Sequence, residues 1–450
     1  LIRNANGTFT FQPASWSERR AGDDDTNPFP SFVGYKLNDL FFHRNRLGFL
    51  SEENVIMSEV SSFFNFFQNT VLTLVDSAPI DVSVSNNQVS ILKHAVPFSE
   101  QLLLFSDLTQ FKMSADDLLA PDTVSIDVTT QFEASLRSKP VGAGKYVFFS
   151  TKRGSFSGVR EYFVDVNAET NDAADVTAHV PDYISGEIIK LSASSNEDML
   201  ACLTSTNKTT IYVYKYYWSG QEKLQSSWSS WVFGGEVLNL DFNKSEIYMI
   251  IKRGSTVCLE KIDLSVDTSV TVMDNSHPVL LDRRVKLNTG GTTTLPYTDS
   301  NAIYVRQDGQ TIPASDLAST LAAGKVVYAG IPYTFKYKFS EQVIKNNDSP
   351  VTIGRLQLRN WNIVFNDSGF FKAKVTPLRR TTNITTFTGR NLGSVNNVIG
   401  TVSIDSGTFS FPVLSNSTAV DIELENDSFL PSTFQSAEWE GFYHERSKRI

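Results

Sequence analysis

Between residues 38 and 264 the chain repeats one short phrase: an apolar strand, a polar turn and a second strand. This recurrence limits the fold more than any other feature. The units DLFFHRNRLGFLSEENVIMS, QLLLFSDLTQFKMS, KYVFFSTKRGSFSGVREYFVDV, DMLACLTSTNKTTIYVYKYYW and EIYMIIKRGSTVCLEKIDL start at residues 39, 101, 145, 198 and 246. A small antiparallel sheet cannot bury both faces alone, so a period of about 50 residues points to blades stacked around an axis, as in a β-propeller. Alternation agrees: Ile211 and Val213 interleave with Tyr212, Tyr214 and Tyr216, which puts two sets of side chains on opposite faces. In Lys152-Arg153-Gly154 and Lys252-Arg253-Gly254 a glycine stands where a hairpin calls for positive φ. Two stacked β-sandwiches would give the same local signals and are the competing architecture.

A chain of 450 residues exceeds what one hydrophobic core usually serves, so more than one domain is expected. The polar stretch Ser17 to Pro30 reads as an exposed connection within a leading segment and linker, residues 1–37. The propeller-like domain then spans 38–264, and the pattern changes from 265 to 450. There, strands such as YTFKYKFSEQVI, RLQLRNWNIVFN, GFFKAKV and TAVDIELEN predict a second antiparallel β-domain. One short helix is expected over 314–323, ended by Gly324. The fold class is therefore all-β, with a propeller-like domain of short antiparallel blades and a second antiparallel β-domain carrying one helix. Aromatics at 12% fit that class.

Several functions are disfavoured by residue type. A formal net charge of -9 argues against a chain-wide basic footprint for gripping nucleic acid. Cys202 and Cys258, the only two cysteines, sit in apolar runs and make no disulfide scaffold. The five histidines, His43, His94, His179, His277 and His444, stand far apart without ligand spacing, so neither metal nor other cofactor is expected. Neither a G-x-S-x-G elbow nor a phosphate-binding loop occurs. No apolar run approaches the roughly 18 residues of a membrane helix. The start LIRNANGTF lacks both a signal peptide and an initiator Met, which points to a piece of a longer protein.

Five local features are candidate sites. Asp23, Asp24 and Asp25 suggest a cation loop, against a solvated acidic turn. His43, Arg44 and Arg46 would present basic groups at a subunit junction, against a turn whose arginines pair locally. Arg446, Lys448 and Arg449 form a basic tail suited to a neighbouring subunit, against a frayed terminus. Glu438 and Glu440 flank Trp439 as a carboxylate pair of glycosidase type, against rim charges on one strand face. The aromatic runs at Phe63, Phe64, Phe66, Phe67 and at Tyr214, Tyr216, Tyr217, Trp218 suit a glycan platform, against blade packing.

Longer strings carry a resemblance. RNANGTFTFQPASW, GDDDTNPFPSFVG, NDLFFHRNRLGFLSEENVIMSEVSSFFNFF, PIDVSVSNNQVSILKHAVPFSEQLLLFSDLTQF, HVPDYI, SSWSSWVFG and SAEWEGFYHERSKR resemble the tail tubular protein B family of autographivirus-type podoviruses, as a fragment lacking its N-terminal region. The resemblance implies a structural, non-enzymatic component of the virion tail. It implies a homo-hexameric nozzle through which double-stranded DNA passes non-specifically during ejection. Its implied partners are the tail adaptor protein (tail tubular protein A), the tail fibre and the bacterial cell surface. A glycan-binding receptor module is the alternative, and a propeller glycosidase ranks below it.

Overall fold

The computed structural model describes residues 1–98, 100–115, 118–165, 170–220, 222–264, 278–346, 349–351, 354–390 and 401–444, with Asp165, Thr170 and Pro350 described by backbone alone. The chain divides into two compact units, Leu1–Ser265 and Val266–Ile450.

The first unit opens with a two-residue ladder, β1 (Ile2–Arg3) with β2 (Phe9–Thr10). Five antiparallel sheets follow in chain order. The first holds β3 (Leu37–His43), β4 (Arg46–Ser51), β5 (Asn54–Met57) and β6 (Ile80–Ser83). The second holds β7 (His94–Phe98), β8 (Gln101–Phe105), β9 (Gln110–Ser114) and β10 (Ser125–Thr130). The third holds β11 (Val141–Ala143), β12 (Tyr146–Arg153), β13 (Phe156–Asp165) and β14 (Thr170–Asp175). The fourth holds β15 (Ile188–Ser194), β16 (Met199–Thr204), β17 (Thr210–Ser219) and β18 (Glu222–Val232). The fifth has three strands, β19 (Glu236–Asn243), β20 (Glu246–Arg253) and β21 (Thr256–Asp263).

Each strand pairs with its neighbour in sequence, as blades require. The opening strands of successive sheets pack side by side: β3 with β7, β7 with β11, β11 with β15, and β15 with β19. Hydrophobic layers fill the gaps between the sheets. Leu50, Val55, Leu102 and Met113 join the first two. Leu103, Phe105, Phe149 and Tyr162 join the next pair. The alternation in β17 works as its pattern predicts: Tyr212, Tyr214 and Tyr216 face the third sheet, while Ile211 and Val213 face the fifth. The glycine turns hold too, with Gly154 at φ 59° and Gly254 at φ 58°.

The stack does not close on itself. No hydrophobic cluster among the described residues joins the first sheet to the fifth. The outward side of the first sheet is instead capped by an aromatic cluster in which Phe32 and Phe66 lie on Phe49, with Trp16 beside them.

In the second unit, β22 (Asp282–Leu287), β23 (Ile303–Arg306), β24 (Thr311–Ile312) and β25 (Val327–Ile331) form one sheet in the order β22-β25-β23-β24. The expected helix begins as a 3-10 turn, Ala314–Asp316, and continues as α1 (Leu317–Ala322). Gly324 follows its C-cap at φ 73°, where a side chain would be strained. The remaining strands are β26 (Phe335–Lys338), β27 (Lys345–Asn346), β28 (Ser349–Pro350), β29 (Arg355–Ser368), β30 (Phe371–Pro377), β31 (Asn383–Phe387), β32 (Asp405–Asn416), β33 (Val420–Asn426) and β34 (Thr433–His444). The sheet β26-β33-β30-β31 and the sheet β32-β29-β34 make a sandwich around Leu358, Trp361, Ile363, Val375, Phe411 and Leu424.

Candidate functional site

The hairpin between β3 and β4 resolves the first basic candidate. Arg44 and Asn45 occupy its two turn positions at φ 44° and 60°, the left-handed pair that a tight hairpin needs. Arg46, expected at an interface, is instead buried at 1% exposure. Its Nη1 donates to the carbonyls of Ser58 (2.8 Å) and Ala78 (2.6 Å), and its Nη2 to those of Asp76 (2.8 Å) and Leu119 (3.2 Å). A planar guanidinium has five N–H donors, so one side chain ties three separate chain segments to the first sheet. Burial lowers its pKa from the ordinary arginine value, and Glu59 partly offsets this.

His43 is buried beside it, and burial, aided by the charge of Arg44, pushes its pKa down to about 4. It is neutral at pH 7. Arg44 alone of the three faces solvent, donating to the Glu100 carbonyl at 3.0 Å. Arg446, Lys448 and Arg449 lie outside the described residues.

The acidic run is a turn. Asp23 Oδ1 accepts from the Thr26 amide, the Thr26 hydroxyl and the Asp25 amide, and these bonds lower its pKa. Asp24 pairs with Arg19 at 2.6 Å. Among the described residues no group of three metal-ligating side chains occurs. Cys202 is buried, and burial pushes its thiol pKa up.

Of the aromatic runs, Tyr214 and Tyr216 are interior and Tyr217 is exposed. Tyr214 stacks on Trp228 at 5.0 Å and its hydroxyl meets Ser226 Oγ at 3.0 Å. Beside them lies an ion pair that sequence reading did not find: Lys223 reaches Glu161, which is buried, and sits 4.7 Å from the Trp218 ring. Its partners are about 60 residues apart in sequence, beyond any local pattern. In the other run Phe66 is buried, while Phe63 and Phe64 are exposed.

Glu438 and Glu440 share one exposed face of β34, in cross-strand register with Asn362 and Asn360. Asn360 Nδ2 donates to Glu440 at 3.2 Å, and Ser410 Oγ to Asn362 Oδ1 at 2.6 Å. The three strands of this sheet present the rows Pro412–Asn360–Glu440, Ser410–Asn362–Glu438 and Thr408–Val364–Ser436. None of these nine positions is a Lys or Arg. Arg359, at the end of the face, lies over the Phe442 ring at 5.4 Å. The upper rows line an open hollow of about 280 Å³. The signal was present in RNWNIVFN, where Asn360, Asn362, Val364 and Asn366 alternate with Trp361, Ile363 and Phe365. The fold sets the two acids in a polar ladder.

Comparison with known proteins gives matches over the whole chain. The family described as bacteriophage nozzle protein matches residues 1–323 and 310–450. The tail tubular protein gp12 of Escherichia phage T7 is 33% identical over 487 residues, covering 100% of this chain and 61% of that protein. The chain thus spans about three-fifths of the length of this curated relative. Among solved structures, Kluyveromyces lactis Hsv2 gives a TM-score of 0.34 at 10% identity, over 52% of this chain and 62% of the other. The Neurospora crassa Pan2 WD40 domain gives 0.30 at 11%, over 52% and 64%. At those scores the structural likeness carries no weight here.

Proposed function

The chain belongs to the bacteriophage nozzle protein family, and from that premise we propose that it is a structural part of a phage tail, assembling as a ring of six through which the genome leaves the particle. The observation that carries this reading is the family match along the whole chain. The mechanism is physical: copies related by rotation make heterologous contacts that close, and closure leaves an axial channel. Double-stranded DNA passing through such a channel is best served by a wall that offers phosphates little to hold. The net charge of -9 and the three central rows of β32, β29 and β34, which hold no Lys or Arg, support a wall of that kind.

The role is non-enzymatic, in the virion tail. An adaptor protein and a tail fibre are its neighbours, and Arg44, with the basic tail at Arg446, Lys448 and Arg449, contributes to contacts between subunits. Interior placement of Tyr214 and Tyr216 weighs against the glycan platform.

The test is the mass of the purified chain by light scattering at several concentrations, followed by negative-stain imaging. Rings of six, or incorporation of the chain into six-fold tails beside its adaptor, are the expected result. A chain that forms neither, while staying folded, overturns the reading.

A further inference from the structure

Two turns of the chain are built alike and differ in one functional group. Asn6-Gly7 is the only Asn-Gly step in the sequence, and Asp308-Gly309 is the only Asp-Gly step. In each the glycine has a positive φ, 82° and 83°. Its amide donates to the carbonyl three residues earlier, that of Asn4 at 3.0 Å and that of Arg306 at 2.8 Å. In each, the residue before the glycine accepts from the amide two residues on: Thr8 N to Asn6 Oδ1 at 3.0 Å, and Gln310 N to Asp308 Oδ1 at 3.2 Å. That bond bends the side chain back along the main chain and brings its Cγ towards the glycine nitrogen.

At Asn6 the arrangement suits attack on the carboxamide. Thr8 donates its hydroxyl as well to Asn6 Oδ1, at 2.7 Å, so two donors stand where negative charge gathers on that oxygen as a nucleophile adds. A Cβ built on Gly7 would meet nothing within 4 Å, so the space around the glycine is open. Asn6, Gly7 and Thr8 are all exposed to water. The Gly7 amide is freed whenever the hairpin opens. Opening is cheap, because the ladder of β1 and β2 holds only two residue pairs, Ile2 with Thr10 and Arg3 with Phe9. Asp308 has the same turn, but its carboxylate pairs with Arg306 and carries no amine to expel.

We propose that Asn6 is a site of spontaneous modification, at which the side chain closes onto the Gly7 nitrogen and reopens as aspartate or isoaspartate. The Gly7 nitrogen gives up its proton and bonds to Asn6 Cγ, the Cγ–Nδ2 bond breaks, and the departing nitrogen takes a proton and leaves as ammonia. Water then opens the cyclic imide. Attack at Cγ restores the main chain and yields aspartate; attack at the Asn6 main-chain carbonyl carbon leaves the peptide link running through Cγ and yields isoaspartate. Both products replace a neutral amide with a carboxylate. Isoaspartate also adds a methylene to the main chain inside the turn, which puts Ile2 and Arg3 out of register with Thr10 and Phe9. The arm bearing the exposed Phe9 and Phe11 is then released from its hairpin. The site is independent of the ring reading.

The experiment ages the full chain in mildly alkaline buffer, once folded and once in denaturant. Mass spectrometry and chromatography of the tryptic peptide Asn4–Arg19 then locate the conversion of amide to acid and separate the isoaspartyl form. The folded chain should modify Asn6 at a rate within about tenfold of the denatured chain. Thr8→Val keeps the main-chain donor and removes the hydroxyl, so it should slow the reaction in the folded chain and leave the denatured rate unchanged. Hydrogen exchange over residues 2–10 should rise in the isoaspartyl product. Modification of the folded chain more than about tenfold slower than in denaturant would show that the hairpin protects the side chain, and would overturn the site. A Thr8→Val chain that ages like the parent would overturn the part given to the hydroxyl. Unchanged exchange in the isoaspartyl product would overturn the release of the arm.

Discussion

Replacing Arg46 by methionine keeps the apolar stem and deletes the guanidinium, which leaves the carbonyls of Ser58, Ala78, Asp76 and Leu119 without this donor. A buried acceptor stripped of its partner costs about 1–3 kcal/mol, and bonds to a charged donor are the stronger kind. The four losses do not add, because water reaches the part-buried Asp76 carbonyl and because the variant no longer has to desolvate a cation. A net loss of about 3–5 kcal/mol follows, in line with breaking other buried charged contacts. For a unit of this size each kcal/mol moves the melting temperature by about 2–4 °C, so the transition of the first unit should fall by about 10 °C. Arg46→Lys keeps the charge but has three donors on a point-like head, and should recover about half. Thermal circular dichroism gives the first readout, and hydrogen exchange of residues 58–78 gives the second, since that segment loses its tie to the sheet. A methionine variant that melts within about 2 °C of the parent, with unchanged exchange there, would refute Arg46 as the clamp.

Three further outcomes are expected. His43 is held near a pKa of about 4, so between about 4 and its ordinary 6.5 the unfolded chain binds the extra proton and stability rises with pH. His43→Gln should remove that slope, worth at most about 3 kcal/mol across the window, in urea titrations from pH 4 to 7. Burial raises the Glu161 pKa above its ordinary 4.5 although Lys223 pulls it down, so its contribution is fully present below 4.5 and is lost as pH climbs through the folded value. Lys223→Met should deepen that loss at pH 7 and Glu161→Gln should flatten it, as read from melting curves against pH. A Cβ added at Gly48 would lie 2.1 Å from the Phe41 ring, so Gly48→Ala should displace the ring and cost about 1–3 kcal/mol in chemical unfolding.

The recurring sequence units mapped onto hairpins because each joins two apolar strands through a short polar turn: 101–114 is β8 with β9, and 198–218 is β16 with β17. The opening strands were harder to see. β11 is only Val141–Ala143, and β7 contains Pro97, which breaks a strand pattern although it is tolerated because β7 is the edge strand of its sheet. Blade packing was legible in the Tyr/Ile alternation of β17, since pleating alone assigns the two faces. Ring closure was not, because it depends on what covers the outward side of the first sheet, and Trp16 and Phe32 lie in a stretch without strand periodicity. Arg46 misled for a related reason: a charged residue beside a turn normally faces water, and only the fold brings three carbonyl-bearing segments around it.

The sandwich of the second unit shows why overall charge is a poor guide to what a surface does. On the sheet containing β26, β33, β30 and β31, Lys338 pairs with Asp421 at 2.8 Å, Lys372 with Asp427 at 2.5 Å, and Lys374 with Glu425 at 2.5 Å. Such a face is locally neutral, yet it offers each passing phosphate a lysine that can exchange partners. On the sheet of β32, β29 and β34, Glu438 and Glu440 stand among Asn, Ser and Thr, with no lysine or arginine in the three central rows. There a polyanion meets repulsion or uncharged hydrogen-bonding groups. In the proposed channel, the sandwich face turned towards DNA would set the friction, and the second face would hold the backbone least.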